Sequence, residues 1–458
     1  MQPVNRLPPE IISRIARDVP DNNAEDVKSI IPSTHVCRYW RTSIVSAPEI
    51  WTLISSKSRG LATLSLERSK EAPLQICLDM NQVRKKIGFM ALITPYVHNV
   101  ETLEFSNLIT VDDLKRTLPH FPQTMPNLRL LDLSLSKLSP DWDSSIDPFG
   151  IFPPTLTHLF LYDIPLYPSF LNLRTLTELT LHNYKFDLPL DTILTILEEN
   201  RSLERVLLRI FFMKPFLHSQ RQAPIRNKLR YLSVTYYSVE DANALIPHIP
   251  LQRGANLEID CRDENAGLNT FLPCISATYL GNLASTTRME SCERSFRMLG
   301  PNGSFSFSGL SVSEVPLVGL FPLSFANVRE FFLRYPEQRG SVISPRIFHL
   351  SPFPALETLA IEHDTNASTT LSALLSTPAS SPSLKTLAFL NCNLSEDFMK
   401  ELARFASNRK NTVSASLHRV VIVHPGAKFP SASSIRTLGR RVPLVDVRFG
   451  TKLPANLT

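Results

Sequence analysis

The residues able to do chemistry are few and dispersed. The chain holds 11 His and 6 Cys among 458 residues. Cys37, Cys77, Cys261, Cys274, Cys292 and Cys392 are scattered, with no Cys-x-x-Cys and no His at zinc spacing. Six isolated cysteines read as reduced thiols filling small apolar gaps rather than as metal ligands or a disulfide framework. His363-Asp364 comes nearest to an imidazole–carboxylate pair, and its place at the end of a strand pattern makes it a loop contact rather than a general base. Phosphate-cradling glycine loops, the Gly-x-Ser-x-Gly nucleophile turn and the His-Glu-x-x-His zinc helix do not occur. The expectation is a binding protein with no catalytic residue, no metal and no cofactor.

Basic side chains are the second resource. Net charge is only +6, but residues 201–230 carry Arg201, Arg205, Arg209, Lys214, Arg221, Arg226, Lys228 and Arg230 against the single acid Glu204. Residues 404–452 repeat the imbalance, with Arg436, Arg440 and Arg441 in the tract and Asp446 as its acid. Such stretches are either solvated faces or a surface for an acidic or phosphorylated partner. No RNP, helix-turn-helix or zinc-finger pattern accompanies them, so a nucleic-acid partner is not expected.

Composition limits the elements that could position these groups. With 43% apolar and 20% charged residues, the chain can bury a large core and is not disordered. The counts of 66 Leu, 36 Pro and 14 Gly point to many short elements joined by stiff turns. The N-terminus has no apolar leader segment, and the longest apolar stretch, from Phe89 to Val97, is broken by Thr94 and Pro95 at about half a membrane span. The expectation is a protein of the cytoplasm, the nucleus or both, with no membrane partner.

A repeat organises most of the chain. Leu-x-x-Leu-x-Leu, with other aliphatics or Phe allowed, occurs at Val100/Leu103/Phe105, Leu128/Leu131/Leu133, Leu156/Leu159/Leu161, Leu176/Leu179/Leu181, Leu203/Val206/Leu208 and Leu229/Leu232/Val234. It returns at Val328/Phe331/Leu333, Leu356/Leu359/Ile361, Leu384/Leu387/Phe389 and Leu417/Val420/Ile422. Successive starts are 28, 28, 20, 27 and 26 residues apart, then 28, 28 and 33. A further apolar residue recurs five positions on, at Leu138, Leu166, Phe186, Met213, Val239 and Leu394, and Cys392 fills the Asn/Cys position of the longer leucine-rich template. Helical stretches between the strands are expected at Thr192–Glu199, from Ser238 to Ile246, at Leu268–Leu283 and from Ser395 with Phe398, Met399, Leu402 and Phe405 inward.

Strand, turn and helix in 20–33 residues predict an irregular leucine-rich-repeat α/β solenoid with a parallel sheet; the competing reading is a globular α/β domain. A β insertion is predicted between 251 and 327, with a hairpin turning at Pro301-Asn302-Gly303. A helix with a long loop is predicted over Asn366–Ser383. The divisions are 1–56, a connecting helix and strand segment over 57–99, repeats over 100–250, the irregular stretch 251–327, and repeats with a C-terminal cap over 328–458.

Residues 1–56 lie outside the repeat. Leu7-Pro8-Pro9-Glu10-Ile11-Ile12 opens a helix in which Leu7, Ile11 and Ile15 share a face. Thr34 to Ile44 places Val36, Trp40 and Ile44 at helical spacing, and Glu49-Ile50-Trp51 closes a three-helix unit too small to be stable without leaning on a partner. Leu-Pro-x-Glu-Ile-Ile, Val-Cys-x-x-Trp-Arg and Glu-Ile-Trp in this order resemble an F-box. With Leu61–Ser69 and Pro73–Leu78 downstream, the chain looks like the F-box/leucine-rich-repeat proteins of mushroom-forming fungi. The resemblance implies a substrate receptor of a cullin–RING (SCF-type) ubiquitin ligase. Its F-box would dock on a Skp-family adaptor, and through it a cullin, while its repeats hold the protein to be ubiquitinated. Leu7, Pro8, Ile11, Val36, Cys37 and Trp40 would then meet the adaptor; for Val36, Cys37 and Trp40 the alternative is packing within the helical unit. Pro32 and the long loop from Val19 to Glu25 depart from the F-box pattern at the middle helix. The other function left open is a leucine-rich-repeat scaffold with no ligase role.

The repeat register also predicts a second surface. The template residues point inward, so their strand neighbours line the opposite face of the sheet. Phe160, Tyr162, His182, Arg205, Arg209 and Tyr231 fall there. Aromatic and imidazole rings beside two arginines suit an acidic or phosphorylated peptide with an apolar anchor. The alternative is that this face is only solvated and the substrate meets loops or the C-terminal basic tract.

Overall fold

The computed structural model describes residues 7–18, 30–79, 83–108, 125–135, 153–164, 166, 168–183, 188–210, 213–214, 228–236, 245–249, 251–262, 283–292, 295–308, 325–334, 353–363, 382–392, 394–412, 416–424 and 430–449. The chain divides into two units, Met1–Lys228 and Leu229–Thr458. That division falls within the 100–250 stretch that the sequence treats as one run of repeats.

The first unit begins with helices α1 (Pro9–Asp18), α2 (Ile31–Thr34) and α3 (Arg38–Val45) and a 3-10 turn at Pro48–Ile50. Pro8 accepts from the Ile11 and Ile12 amides, at 3.0 and 3.1 Å, as α1 starts. Pro32 is accommodated in the first turn of the very short α2, where its missing N–H costs nothing. Cys37 caps α3, its sulfur accepting from the Trp40 amide at 3.5 Å. Ile12, Ala16, Ile30, Trp40, Ile44, Ile50 and Trp51 form one small core, with Leu7, Cys37 and residues of the next helix packed against it. The Trp51 indole donates to the Ile44 carbonyl at 3.0 Å, and Arg68 lies 4.4 Å over its ring.

A parallel sheet follows: β1 (Leu53–Ser55), β2 (Leu74–Asp79), β3 (Val100–Leu108), β4 (Leu130–Leu135), β5 (His158–Tyr162), β6 (Glu178–Asn183) and β8 (Arg205–Ile210), in the order β1-β2-β3-β4-β5-β6-β8. Helices α4 (Arg59–Ser69), α5 (Val83–Ile93) and α6 (Leu190–Glu199) lie between strands, and a small pair joins β7 (Leu188–Pro189) to β9 (Met213–Lys214). The sheet thus starts before Val100: β1 falls at the end of the 1–56 stretch and β2 within the connecting segment. Asn200, fully buried, closes α6: its amide group donates to the Ile196 carbonyl and its oxygen accepts from the Leu176 amide.

The second unit contributes β10 (Tyr231–Tyr236), β11 (Asn256–Cys261), β12 (Arg288–Ser291), β13 (Ser295–Gly300), β14 (Gly303–Ser308), β15 (Glu330–Arg334), β16 (Thr358–Glu362), β17 (Thr386–Leu390), β18 (Arg419–His424) and β19 (Leu444–Phe449), with α7 (Glu396–Thr412) and α8 (Ala432–Gly439). Its strand order is β10-β11-β14-β13-β12-β15-β16-β17-β18-β19. Only β13 runs antiparallel to its neighbours, β12 and β14. The β insertion therefore sits inside the sheet, with β14, β13 and β12 lying between β11 and β15. Its β13–β14 hairpin turns at Pro301-Asn302, and Gly303 follows with φ 117°; a Cβ there would meet the Ala255 carbonyl oxygen at 2.1 Å, so only glycine fits.

Both units obey one core rule. All thirty residues at the ten template sites are no more than 4% exposed. Four strands end alike: Asn107, Asp163, His363 and Asn391 each fall two residues past the third template position with φ of 54–58°. Asn, Asp and His are the residue types that tolerate this left-handed turn, which accounts for His363 structurally. Ser395 caps α7 by accepting from the Phe398 amide at 3.1 Å, and Phe398, Met399, Leu402 and Phe405 are buried as expected.

Residues 237–244, 263–282 and 364–381 lie outside the described residues. With them go most of the helices expected after Ser238, over Leu268–Leu283 and within Asn366–Ser383, and Val239; Leu138 and Phe186 likewise lie outside the described residues. Among the described residues no helix is long and apolar enough to cross a membrane.

Candidate interaction surfaces

The N-terminal helices bury one stripe and expose another. Ile12 and Ala16 of α1 enter the core, whereas Ile11 and Ile15, one step round the helix, are 42% and 38% exposed. The shared face read as Leu7, Ile11 and Ile15 is therefore split: Leu7 packs against the core and the two isoleucines face out. Of the expected adaptor residues, Pro8, Ile11 and Val36 are exposed, with Val36 reaching 57%. Trp40 and Cys37 belong to the unit's own packing, one as core and one as cap. The Trp40 indole N–H is buried with no hydrogen-bond partner. Ile15, Ile31 and Tyr39 join the exposed set, and the Tyr39 hydroxyl donates to the Leu7 carbonyl at 2.9 Å, fixing α3 against the start of α1. The i, i+4 pair Ile11/Ile15 carried this signal in the sequence. What hid it was the adjacent Ile12, which offers a second and tighter apolar stripe with Ala16.

On the first unit's sheet, the register sets three rows of side chains opposite the core. One runs His158–Glu178–Arg205, the next Cys77–Glu104–Asp132–Phe160–Thr180–Leu207, and the third Ser134–Tyr162–His182–Arg209. Five of the six expected substrate residues are thereby brought onto one face. Tyr231 belongs to the second unit, where its hydroxyl donates to Glu258 at 2.6 Å.

The charges on this face are partly spent on one another. Glu178 lies 3.4 Å from the Arg205 Nε and 3.9 Å from the His158 Nε2. The Cys77 thiol donates to Glu104 at 3.2 Å. Burial, followed by the Glu104 charge, pushes the Asp132 carboxyl up to about 7. Burial first and Asp132 second raise the Tyr162 hydroxyl. The His182 ring, edge-on to Tyr162 at 5.3 Å, is held below the usual imidazole range by burial and then by Arg209. A neutral aromatic and imidazole pair beside the exposed Arg209 can stack on an apolar group while a guanidinium pairs with an anion. The Glu104–Asp132 step was not foreseen as a site, although both acids lie between the second and third template positions of neighbouring repeats.

The second unit carries a shallow hollow on the corresponding face. Phe332, Ala360 and Leu390 lie in it, with Arg288, Glu290, Arg334 and Glu362 around it. Sequence reasoning missed these residues because β12 falls outside the template. The step from Phe332 to Ala360 at one repeat position was the available signal. Among the described residues no group of three or more His, Cys, Asp or Glu could hold a metal ion. No protein-family model matches the chain, and no curated protein matches it in sequence.

Proposed function

We propose that the chain is the substrate-recognition subunit of a cullin–RING ubiquitin ligase. In this reading α1–α3 form an F-box that docks on a Skp-family adaptor, and the repeat sheet holds the protein to be ubiquitinated. One observation carries the reading. Among the described residues six large apolar side chains are exposed, and five of them, Ile11, Ile15, Ile31, Val36 and Tyr39, belong to the short N-terminal helical segment. A segment that completes a small core yet leaves isoleucines and valine in water is built to be covered by a partner. The F-box-like order of Leu7-Pro8, Val36-Cys37 and Glu49-Ile50-Trp51 supports the choice of partner.

The receptor itself performs no bond chemistry. It brings substrate to the catalytic subunits of the complex, and its contribution is proximity. The face bearing Tyr162, His182 and Arg209 suits an acidic or phosphorylated substrate segment, and the site of action would be the cytoplasm or nucleus.

The test is co-purification of the full chain with a Skp-family adaptor. Wild type retains the adaptor. Val36→Asp with Ile11→Asp weakens binding about 100-fold or more, because two apolar anchors each worth ~1.5–3 kcal/mol become charged. Both side chains are exposed, so circular dichroism and melting stay near wild type. Absence of adaptor from the wild-type preparation, or undiminished capture by the double variant, rejects the reading.

A further inference from the structure

The last strand of the second unit has one open side. Among the described residues β19 pairs only with β18, in parallel register. The Leu444 amide donates to the His418 carbonyl at 3.1 Å. Main-chain groups alternate along a strand, so those of Leu444, Asp446 and Arg448 face β18 and those of Val445, Val447 and Phe449 face away from it. The strand that begins the first unit's sheet, β1, is three residues long. β19 has six, and neither proline nor bulge interrupts it. Natural sheets blunt a free edge by shortness, proline, a bulge or charge, and β19 has only charge. Its two charges, Asp446 and Arg448, are of opposite sign, which makes them a pairing code rather than a barrier.

Side chains show what the edge lacks. The ten template sites are closed on the core side. In β19, beyond the last of them, Val445 and Val447 lie opposite Val420 and Ile422 and are only half-buried. Leu444 is 52% exposed. On the other face Asp446 pairs with Arg419 and Arg448 of its own chain, at 3.1 and 3.0 Å, and the Arg448 side chain stays 50% exposed.

Register identifies the occupant. A second copy of the strand, related by a two-fold axis, pairs antiparallel, and its outward main-chain groups must meet those of the first. Setting Val447 opposite itself does this for Val445, Val447 and Phe449 together, and it places Asp446 of each copy opposite Arg448 of the other. Neighbouring registers fail. Centred on Asp446 or on Arg448, they set like charges opposite each other. Centred on Val445 or on Asp446, they bring Pro443, which has no N–H, against an outward-facing residue.

We propose that β19 joins two copies of this chain in an antiparallel pair centred on Val447, so that the sheet of each second unit continues into the other. Val447 closes on its counterpart on the core side, and Arg448 of each copy lies across from Asp446 of the other. The contact uses neither the N-terminal helices nor adaptor binding. It is small, so the dimer forms reversibly with concentration.

The experiment uses the full chain. Sedimentation of the wild type from about 1 to 100 µM is expected to show monomer passing into dimer. Val447→Pro removes an N–H that faces away from β18, so the fold stays intact by circular dichroism. It takes two hydrogen bonds from the dimer and weakens it about tenfold or more. Oxidation reads the register. In Val447→Cys the paired Cα atoms lie about 5.5 Å apart, within disulfide reach, whereas in Val445→Cys they are four residues apart along the strands, about 13 Å. Peptide mass spectrometry is expected to find the cross-link at position 447 and none at position 445. A wild type still monomeric at about 100 µM, the outcome if another segment covers the edge, overturns the proposal. A dimer undiminished in folded Val447→Pro, or a cross-link at position 445 in place of 447, overturns it as well. Should Val447→Pro not fold, the two cysteine variants decide alone.

Discussion

At one repeat position, the residue between the second and third template sites, the first unit differs from the stretch β15–β18 of the second. In the first unit that row reads Glu104, Asp132, Phe160, Thr180, Leu207. In the second it begins with Ser233 and Glu258, and from β15 on it reads Phe332, Ala360, Ala388, Val421, Asp446. The core side of both sheets is equally closed. The opposite side differs: Asp132, Phe160 and Leu207 are half-buried and adjoin titratable groups, whereas Ala360, Ala388 and Val421 are buried in a cluster with Leu390 and Val423. The template thus fixes one face of the sheet and leaves the other free to vary. Function is to be sought where that freedom has been used.

The largest test of the contrast places the same charge in both rows. Val421→Asp puts a carboxylate beside the buried Ala388, Val423 and Leu390 and across from Asp446, whose charge is already paired with Arg419 and Arg448, and should cost about 4 kcal/mol or more. Leu207→Asp, on the half-open face, should cost only about 1 kcal/mol because water still reaches the new carboxylate. Urea denaturation followed by circular dichroism compares them. Equal costs would show that the two faces are alike and that the distinction drawn from burial is wrong.

Arginines sharpen the comparison at smaller amplitude. The Arg288 side chain is 26% exposed, stacks on Phe332 and pairs with Glu290. Arg288→Met should destabilise by about 1–2 kcal/mol, the sum expected for a partly desolvated cation–π contact and the carboxylate left behind. A loss within experimental error would mean that Arg288 does not hold the Phe332 ring in place.

Much of this was legible in the sequence, and the reasons it stopped are physical. Leu-x-x-Leu-x-Leu predicted thirty buried positions because each unit repeats the same inward geometry, and the hairpin at Pro301-Asn302 was visible in its turn residues. At the N-terminus Ile11 and Ile15 do share an exposed face and only Leu7 departs from it; because Ile11 and Ile12 are both isoleucine, periodicity alone offers two overlapping faces, and only packing against Trp40 and Ile44 chooses which is covered. The resemblance put Trp40 among the contact residues with packing inside the helical unit as the alternative, and it is the packing that the structure has; helical spacing shows which residues align, not which side is covered. The hollow at Phe332 depends on four strands from 288 to 390, one of them contributed by the insertion, and no local pattern registers such a step. Asp132 could be placed on the face, but its neighbours Glu104 and Cys77 come from strands 28 and 55 residues away.

The Asp132 environment gives the first unit a pH dependence opposite in sign to that of Asp446 in the second, whose carboxyl is held below its ordinary value by the hydrogen bonds from Arg448 and Arg419. The Asp132 carboxyl binds a proton more tightly folded, at about 7, than at its ordinary value of 3.8. Its contribution to stability is therefore full below about pH 4 and lost as pH rises to 7. Asp132→Asn removes that loss. The variant should match wild type near pH 4 and exceed it by about 1 kcal/mol at pH 8, the full shift being reduced by solvent screening on this half-open face. Denaturation at the two pH values checks the sign, and a variant less stable than wild type at pH 8 would contradict it.

The smallest expected effect belongs to Arg205, and it matters because it separates stability from binding. Its Nε is 3.4 Å from Glu178, its side chain is 57% exposed, and His158 also approaches the same carboxylate. An exposed pair of this kind contributes about 0–1 kcal/mol, and the carboxylate left behind remains close to water and to a second basic group. Arg205→Met should therefore change stability by no more than about 0.5 kcal/mol, well below the matched change at Arg288. Thermal melts at low and moderate salt measure it. If the loss approaches that of Arg288→Met, the charged row of the first unit is structural rather than available to a partner. If it stays small, Arg205 and Arg209 can be reversed to Glu in a folded protein, and loss of substrate capture then reports contact rather than unfolding.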